Sequence, residues 1–440
     1  MRLDILAAIG ICFGCMLTPA VCIAGDPPAP DDWLLGPAVS LRSSYVGQAA
    51  ANPAGGYKQG ADFAGQILIG ADVDLQQLLG IPGSLFHVTL TERMGQSLAR
   101  DTIGNSFDVQ EVYGGGQTWR LGELTWDQAF AGDRVEVLVG RTFSGPEFGR
   151  TPVSCNFQSN DSCPGPKALY QNGSMNAYPV SNWGGRIRLN VRQDLSFLAG
   201  AYQVDPDADA PRYHSFDFGF RRSTGAYVPA EILYHPAVGP HALPGFYELG
   251  GYYDSSTFND PYADAQGASS VLTGKPPRVD EGRSGVFLAA DQMVTGNGKQ
   301  GLHVFAVATL ASSSQQVQSS FFQLGVLQQG TFPGRDNDAV GFFVADNVFS
   351  SSVMNSITNA RRLLGGTDRP ASNEITGELN YTAQVTNWLM LRPDVQVIIN
   401  PDQWGGPVRR SNTPTALVFG LTFVVGLPEL LGWHFPDLHH

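Results

Sequence analysis

The chain is short of charge. Asp, Glu, Lys and Arg make up 15% of its 440 residues, against roughly 25% in typical soluble domains. Beyond the N-terminal segment no apolar run reaches the roughly 18 residues of a spanning helix, which excludes a helical membrane bundle. Basic residues are the minority: 27 against 40 acidic ones, a net charge of −13, which argues against a nucleic-acid partner. Catalytic and metal motifs are missing too. The eight His show no H-E-x-x-H or comparable spacing, and no G-x-S-x-G elbow occurs. "GNGKQG" at Gly296–Gly301 fits a dinucleotide fingerprint by letter, but a strand-like run follows it where a helix is required. No enzyme activity and no cofactor are expected.

What the chain does have is glycine, 52 residues of it, and alternation. In "NEITGELNYTAQVTNWLMLRPDVQVIINP", Ile375, Leu379, Val385, Leu391 and Val397 share one face, and Glu374, Glu378, Arg392 and Asp394 the other. Side chains one residue apart in a strand point to opposite faces, so this is a hairpin with one oily and one wet side. About sixteen such runs recur, from 33–45, 60–74, 84–94 and 117–130 to 373–386, 387–399 and 413–426, each long enough to cross a bilayer when tilted. Short connections fall at Ala131-Gly132, Gln193-Asp194 and Thr386-Asn387. Long ones fall at 46–59, 95–116, 144–181, 205–225, 256–282 and 350–372. The reading is an all-β fold: a transmembrane antiparallel β-barrel with short periplasmic turns and long extracellular loops. Only helices and closed barrels satisfy every backbone group in lipid.

Export agrees with this. Met1-Arg2, an apolar run and Cys22-Ile23-Ala24 before Gly25 read as a signal peptide over 1–24. A periplasmic segment 25–32, the barrel over 33–426 and a periplasmic tail 427–440 follow. Cys155 and Cys163 remain after cleavage, an even pair in an exported chain. "CNFQSNDSC" therefore suits a disulfide-closed loop; free thiols or a metal pair are the alternatives, and no Cys-x-x-Cys spacing or nearby His supports metal.

The chain resembles the carbohydrate-selective porins of the OprB family. The resemblance rests on "RLGELTWDQAF" with "DRVEVLVGRTF", on the cysteine loop, and on "NWGGRIRLNVRQDLSFLAGAYQVDP". Further along it rests on "VPAEILYHP", "GRSGVFLAADQMV", "GRDNDAVGFFVADNVFS" and "LRPDVQVIINP". It implies a 16-stranded outer-membrane channel for passive diffusion of small neutral sugars, glucose above all, in contact with outer-membrane lipids. One departure is the end of the last strand near Gly426, where outer-membrane barrels usually close on a terminal aromatic residue. The rival functions are a general or anion-preferring porin and a secreted all-β sugar-binding adhesin; monomer and homotrimer both stay open.

Sugar selection needs a narrow place where hydroxyls exchange water for protein partners. The 144–181 connection, the third long loop, is expected to fold inward and narrow the barrel. Arg93 shares parity with His87, Thr89 and Thr91 and should face the lumen. Arg186, Arg188 and Arg192 face inward by the same logic, with Glu123 and Asp127 as carboxylate partners and Arg141 at the rim. These seven are the expected substrate-binding residues. Trp119, Trp126 and Trp183 read as girdle residues at the lipid interface. Glu374, Glu378 and Asp394 read as plain wall.

Overall fold

The computed structural model describes residues 34–220 and 222–438; the leader and the 25–32 segment lie outside the described residues. Sixteen long strands follow one another: β1 (Val39–Ala54), β2 (Gly60–Asp74), β3 (Ser84–Gly95), β4 (Trp119–Phe130), β5 (Val135–Thr142), β6 (Asn182–Arg192), β7 (Leu195–Val204) and β8 (Gly225–Tyr234). Then come β9 (Leu243–Asp264), β10 (Pro277–Gly296), β11 (Gly301–Ala311), β12 (Gln318–Gln329), β13 (Ala339–Phe349), β14 (Asn373–Gln384), β15 (Leu389–Ile399) and β16 (Ala416–Gly426). A two-residue strand, Ala237–Val238, pairs only within the β8–β9 turn. Every long strand is antiparallel to its neighbours in sequence, and β16 returns to β1, with Tyr45 opposite Val425 and Ala51 opposite Phe419. The sheet closes on itself and leaves no edge.

The two faces are inverted relative to a soluble barrel. On the opening hairpin, Leu379 is 52% exposed while Glu378 is 0% exposed. The same inversion runs round the barrel: Ile69, Leu90, Val139, Ile187, Ile232, Leu288, Phe322, Val344 and Phe419 point outward and are exposed. Water strongly disfavours such a surface, at roughly 25 cal/mol per Å² of apolar area, so this belt requires lipid. Trp119 and Trp126 stand exposed on β4 among the outward residues. No helix among the described residues is long and apolar enough to cross a membrane.

Short connections gather at one end, at 131–134, 193–194, 297–300 and 385–388, and long ones at the other. Gly296–Gly301 is the β10–β11 turn, where both glycines sit at positive φ and approach the facing backbone. Among the described residues five α-helices decorate the connections: α1 (Leu75–Leu79), α2 (Lys167–Asn172), α3 (Ser270–Thr273), α4 (Ser351–Leu363) and α5 (Leu427–Leu431). After β16 the tail turns through α5, and the His434 carbonyl accepts from the Leu34 N–H at 3.1 Å.

Two boundaries differ from expectation. β1 runs to Ala54, so 46–59 is mostly strand and only 55–59 is loop. "GQAAANPA" carries little strand propensity of its own; here Gly47 lies under the Phe423 and Phe63 rings, which leave no room for a side chain. β9 and β10 also extend to 22 and 20 residues through the stretch read as loop. They rise beyond bilayer length as a polar hairpin, with register shifts at Asp254/Thr257 and Asn259/Asp264.

Candidate functional site: a constriction between two folded-in loops

The lumen is narrowed from two sides. Loop 143–181 fills the side lined by β7–β13. Its Phe148 and Leu169 pack on Leu198, Tyr202, Tyr227, Tyr252 and Phe287. Its Phe157 meets Phe343 edge-on at 4.9 Å, next to Phe305. Loop 96–118 fills the opposite side: Leu98, Ile103 and Val109 pack on Ala50, Ile398 and Val418, and Val112 on Val46, Ala64, Met390 and Val424. The interior wall is thus apolar where these loops cover it.

Polar wall residues then hold the loop backbone. Glu378 accepts from the Gln158 N–H at 2.9 Å and the Ser159 N–H at 2.7 Å. Glu248 accepts from the Arg150 N–H at 2.9 Å, and Glu231 from Gly149 at 3.3 Å. Gln318 and Asn172 exchange two bonds, and Asn380 donates to the Asn156 carbonyl. Glu374 accepts from Asn105 and from the Asp402 N–H. A loop inside a barrel has backbone groups that need partners, and these wall side chains provide them. The carboxylates of the β14–β15 hairpin are therefore more than the plain wall expected: Glu374 and Glu378 anchor inward loops. Cys155 and Cys163 form a disulfide with Cα atoms 4.6 Å apart, next to the Phe157 and Gln158 anchors.

Between the two loops lies a cavity of about 580 Å³, within the roughly 300–1,000 Å³ span of small-molecule sites. Gln66 and Arg93 of the wall, Glu111 and Tyr113 of one loop, and Lys167, Tyr170, Gln171 and Tyr178 of the other face it, with Arg283 and Arg392 from β10 and β15. Arg93 is held by Gln66 Oε1 at 2.8 Å and the Tyr113 carbonyl at 3.2 Å, and its guanidinium lies over the Tyr178 ring at 5.9 Å. Five buried atoms on this lining have no hydrogen-bond partner in the protein: Tyr170 Oη, Tyr178 Oη, Gln171 Oε1, Arg283 Nε and Arg392 Nη2. Burial pushes the Lys167 ammonium down to about 8, although Asp108, Asp161 and Glu111 pull the other way. Burial likewise holds the Glu111 and Asp108 carboxyls above the usual range, partly offset for Glu111 by Arg93 and for Asp108 by the Ser97 hydroxyl.

Of the seven expected residues, Arg93 lines this cavity and the others are placed differently. Arg186 joins wall to loop, contacting Asp127 at 3.2 Å, Glu147 at 2.9 Å and Glu136 at 3.7 Å, with Arg188 beside it at 3.8 Å from Glu136. Glu123 belongs to a wall network in which Arg42 bridges to Asp72 at 2.7 Å and to Glu123 at 3.6 Å. Arg141 donates to the Ser181 and Asp217 carbonyls, fixing two connections at the strand end. Arg192 departs from the inward reading. The register shifts between Asn190 and Arg192, the last residue of β6, and Arg192 pairs with Asp194 in the exposed turn at 2.9 Å. Tyr113, Tyr170, Tyr178, Lys167 and Glu111 escaped sequence reasoning because they lie on loops without periodicity; Arg392 was visible by parity and read as wall.

A closed antiparallel barrel with an apolar outer belt and a polar lumen narrowed by loops is a transmembrane β-barrel channel of the porin class. The chain belongs to the carbohydrate-selective porins: the sequence model of the carbohydrate-selective porin, OprB family, matches residues 58–426. It is 33% identical to Porin B of Pseudomonas aeruginosa over 386 residues, 84% of each chain. It is 27% identical to the putative porin QuiX of Acinetobacter baylyi over 430 residues, 89% of this chain and 94% of that one. Among solved structures, Pseudomonas putida OprB at high pH superposes with a TM-score of 0.81 at 31% identity, over 88% of this chain and 94% of that one. Salmonella typhi OmpF shares the fold, with a TM-score of 0.52 at 11% identity. The chain is an outer-membrane protein of the Gram-negative type, and the relatives named here are porins, not enzymes.

Proposed function

We propose that this porin carries monosaccharides such as glucose by passive diffusion, and that they pass the cavity between the two inward loops. The observation that carries this reading is the lining itself. Tyr113, Tyr170 and Tyr178 line it as apolar bodies for the CH side of a sugar ring, while the unpartnered Tyr170 Oη, Tyr178 Oη, Gln171 Oε1 and Arg392 Nη2 suit hydroxyls. Each such bond adds a net ~0.5–1.5 kcal/mol, weak enough for a permeant to leave again. In this reading the long loops face outward, the short turns and the 427–440 tail face the periplasm, and residues 1–24 are a leader removed on export. Arg93 is a sugar contact; Glu123, Asp127, Arg141, Arg186 and Arg188 shape the path by holding wall and loops.

The test is sugar block of ion current in planar bilayers, paired with liposome swelling across hexoses, pentoses and disaccharides. Glucose should reduce the current in a saturable way, and Tyr178→Ala with Arg392→Met should weaken that block about tenfold or more, as two lost contacts imply. Current indifferent to glucose would overturn the proposal. A second reading, an anion-preferring porin, draws on the cavity charges. Arg93, Lys167, Arg283 and Arg392 face it against Glu111, Asp205 and Asp209; Asp205 is already paired with Arg222 at 2.7 Å and Arg283 with Asp254 at 2.6 Å. Strong anion selectivity without sugar block would favour that reading.

A further inference from the structure

At the long-loop end, three segments meet in one crest: the connection 55–59, the stretch 364–371 after α4, and the connection 400–415. The Arg409 guanidinium lies over the Tyr57 ring at 4.3 Å, and Lys58 Nζ stands 5.9 Å from the same ring centre. Gly366 abuts Arg410 so closely that a Cβ there would sit 2.4 Å from the Arg410 carbonyl oxygen. Asn412 Oδ1 accepts from Arg361 of α4 at 2.8 Å and from the Ala371 N–H at 3.2 Å, tying the helix and the stretch after it to the same connection. Arg362 and Arg369 flank this contact along the chain. Lys58, Arg362, Arg369 and Arg410 are exposed, and Arg409 is half-buried.

Among the described residues, none of these five cations has a carboxylate within 4 Å. Other surface arginines do. Arg222 is held by Asp205 and Asp217, Arg278 by Asp260 and Asp280, and Arg335 by Asp338. Asp62 feels the charge of Lys58, and Asp368 that of Arg361, so the crest holds some acid. Five cations without a contact ion pair still outnumber it, on a chain of net charge −13, and make a local field opposite in sign to the whole. The C-terminus of α4 favours a cation in its last turn. That accounts for Arg362 but not for Lys58, Arg369, Arg409 or Arg410.

We propose that this crest binds the phosphate groups of membrane lipid at the barrel's long-loop rim. Guanidinium groups match phosphate oxygens in pairs, and clustered Lys and Arg at a membrane surface attract anionic headgroups. Leu363 and Leu364, both exposed, follow Arg362 directly. A phosphate free in solution has no use for apolar neighbours; an acylated one does.

The test uses the full chain in nanodiscs of phosphatidylcholine, where both faces are accessible. Bound lipid is counted by native mass spectrometry after adding bisphosphorylated lipid A or lipid A stripped of its phosphates. Wild type should retain the phosphorylated form about tenfold or more in excess, and R362Q/R369Q/R409Q/R410Q should lose that preference. The variant's heat-modifiable gel mobility and glucose flux should stay unchanged, which separates lost binding from lost folding. If the quadruple variant folds poorly, Lys58→Gln with Arg410→Gln replaces it, with a partial loss expected. Equal retention of the two lipids by wild type, or a preference that survives the substitutions, would sink the proposal. Full displacement of lipid A by millimolar inorganic phosphate would also overturn it, because the crest would then answer to free phosphate.

Discussion

Single side chains set the sign of the field in the constriction, and Lys167 changes charge within reach of ordinary buffers. Burial lowers its ammonium to about 8 while Asp108, Asp161 and Glu111 resist. Below that pH the cavity carries its positive charge; above it the charge is gone. Anion preference, read as reversal potential in a salt gradient, should therefore fall as pH rises from 7 to 9. Lys167→Met should start at the lower value and stay flat across that window; a wild-type profile as flat as the variant's would refute the assignment. Arg93 marks what was legible at this scale. Alternation with Thr89 and Thr91 put it in the lumen, and it is there, gripped by Gln66. Parity says which face a strand residue takes, however, not whether a partner has already claimed it. Arg186 faces inward as expected and is occupied by three carboxylates. Parity fails for Arg192, where the strand frays into a turn.

Among elements, the inward loop and the wall that grips it behave as one unit. Glu378 accepts two consecutive backbone N–H groups beside the disulfide. In Glu378→Gln an NH₂ group replaces one acceptor, leaving a buried N–H unsatisfied at a cost of ~1–3 kcal/mol. Channels of this variant should show larger or noisier conductance and weaker glucose block, with barrel mobility on gels unchanged; single-channel recording checks this. Reducing the Cys155–Cys163 bond should act the same way, and unchanged swelling rates after reduction would count against a role for it. The strands themselves were legible because period-two patterning is local: β2 falls on the expected residues 60–74. The anchoring was not. Glu378 and Gln158 lie 220 positions apart, and nothing in either neighbourhood says that a wet face will hold a loop instead of water. The inward course of 96–118 was hidden for the same reason. Its apolar residues, Leu98, Ile103, Val109 and Val112, have no period, and they make sense only against the Ala- and Val-lined wall opposite.

For the whole molecule, closure is the decisive property. Removing 416–426 should leave β1 and β15 as two unpaired edges, so no heat-modifiable folded band should form in detergent, whereas removing 432–440 should leave the barrel band intact. Urea-washed membranes assayed by gel mobility check both. The fold and the membrane were readable from alternation and loop asymmetry; the seam was not, since β1 hides its strand under alanines. That seam also dictates a timetable. Val46 faces Val424 and Gln48 faces Thr422, so the first strand made waits for the last before it has a partner on that side. A ribosome reading from one end cannot release a half-built barrel that is safe by itself, because every intermediate has two sticky margins. The cell must therefore keep this chain escorted and open until translation has finished, and the two ends of its message meet only in the membrane.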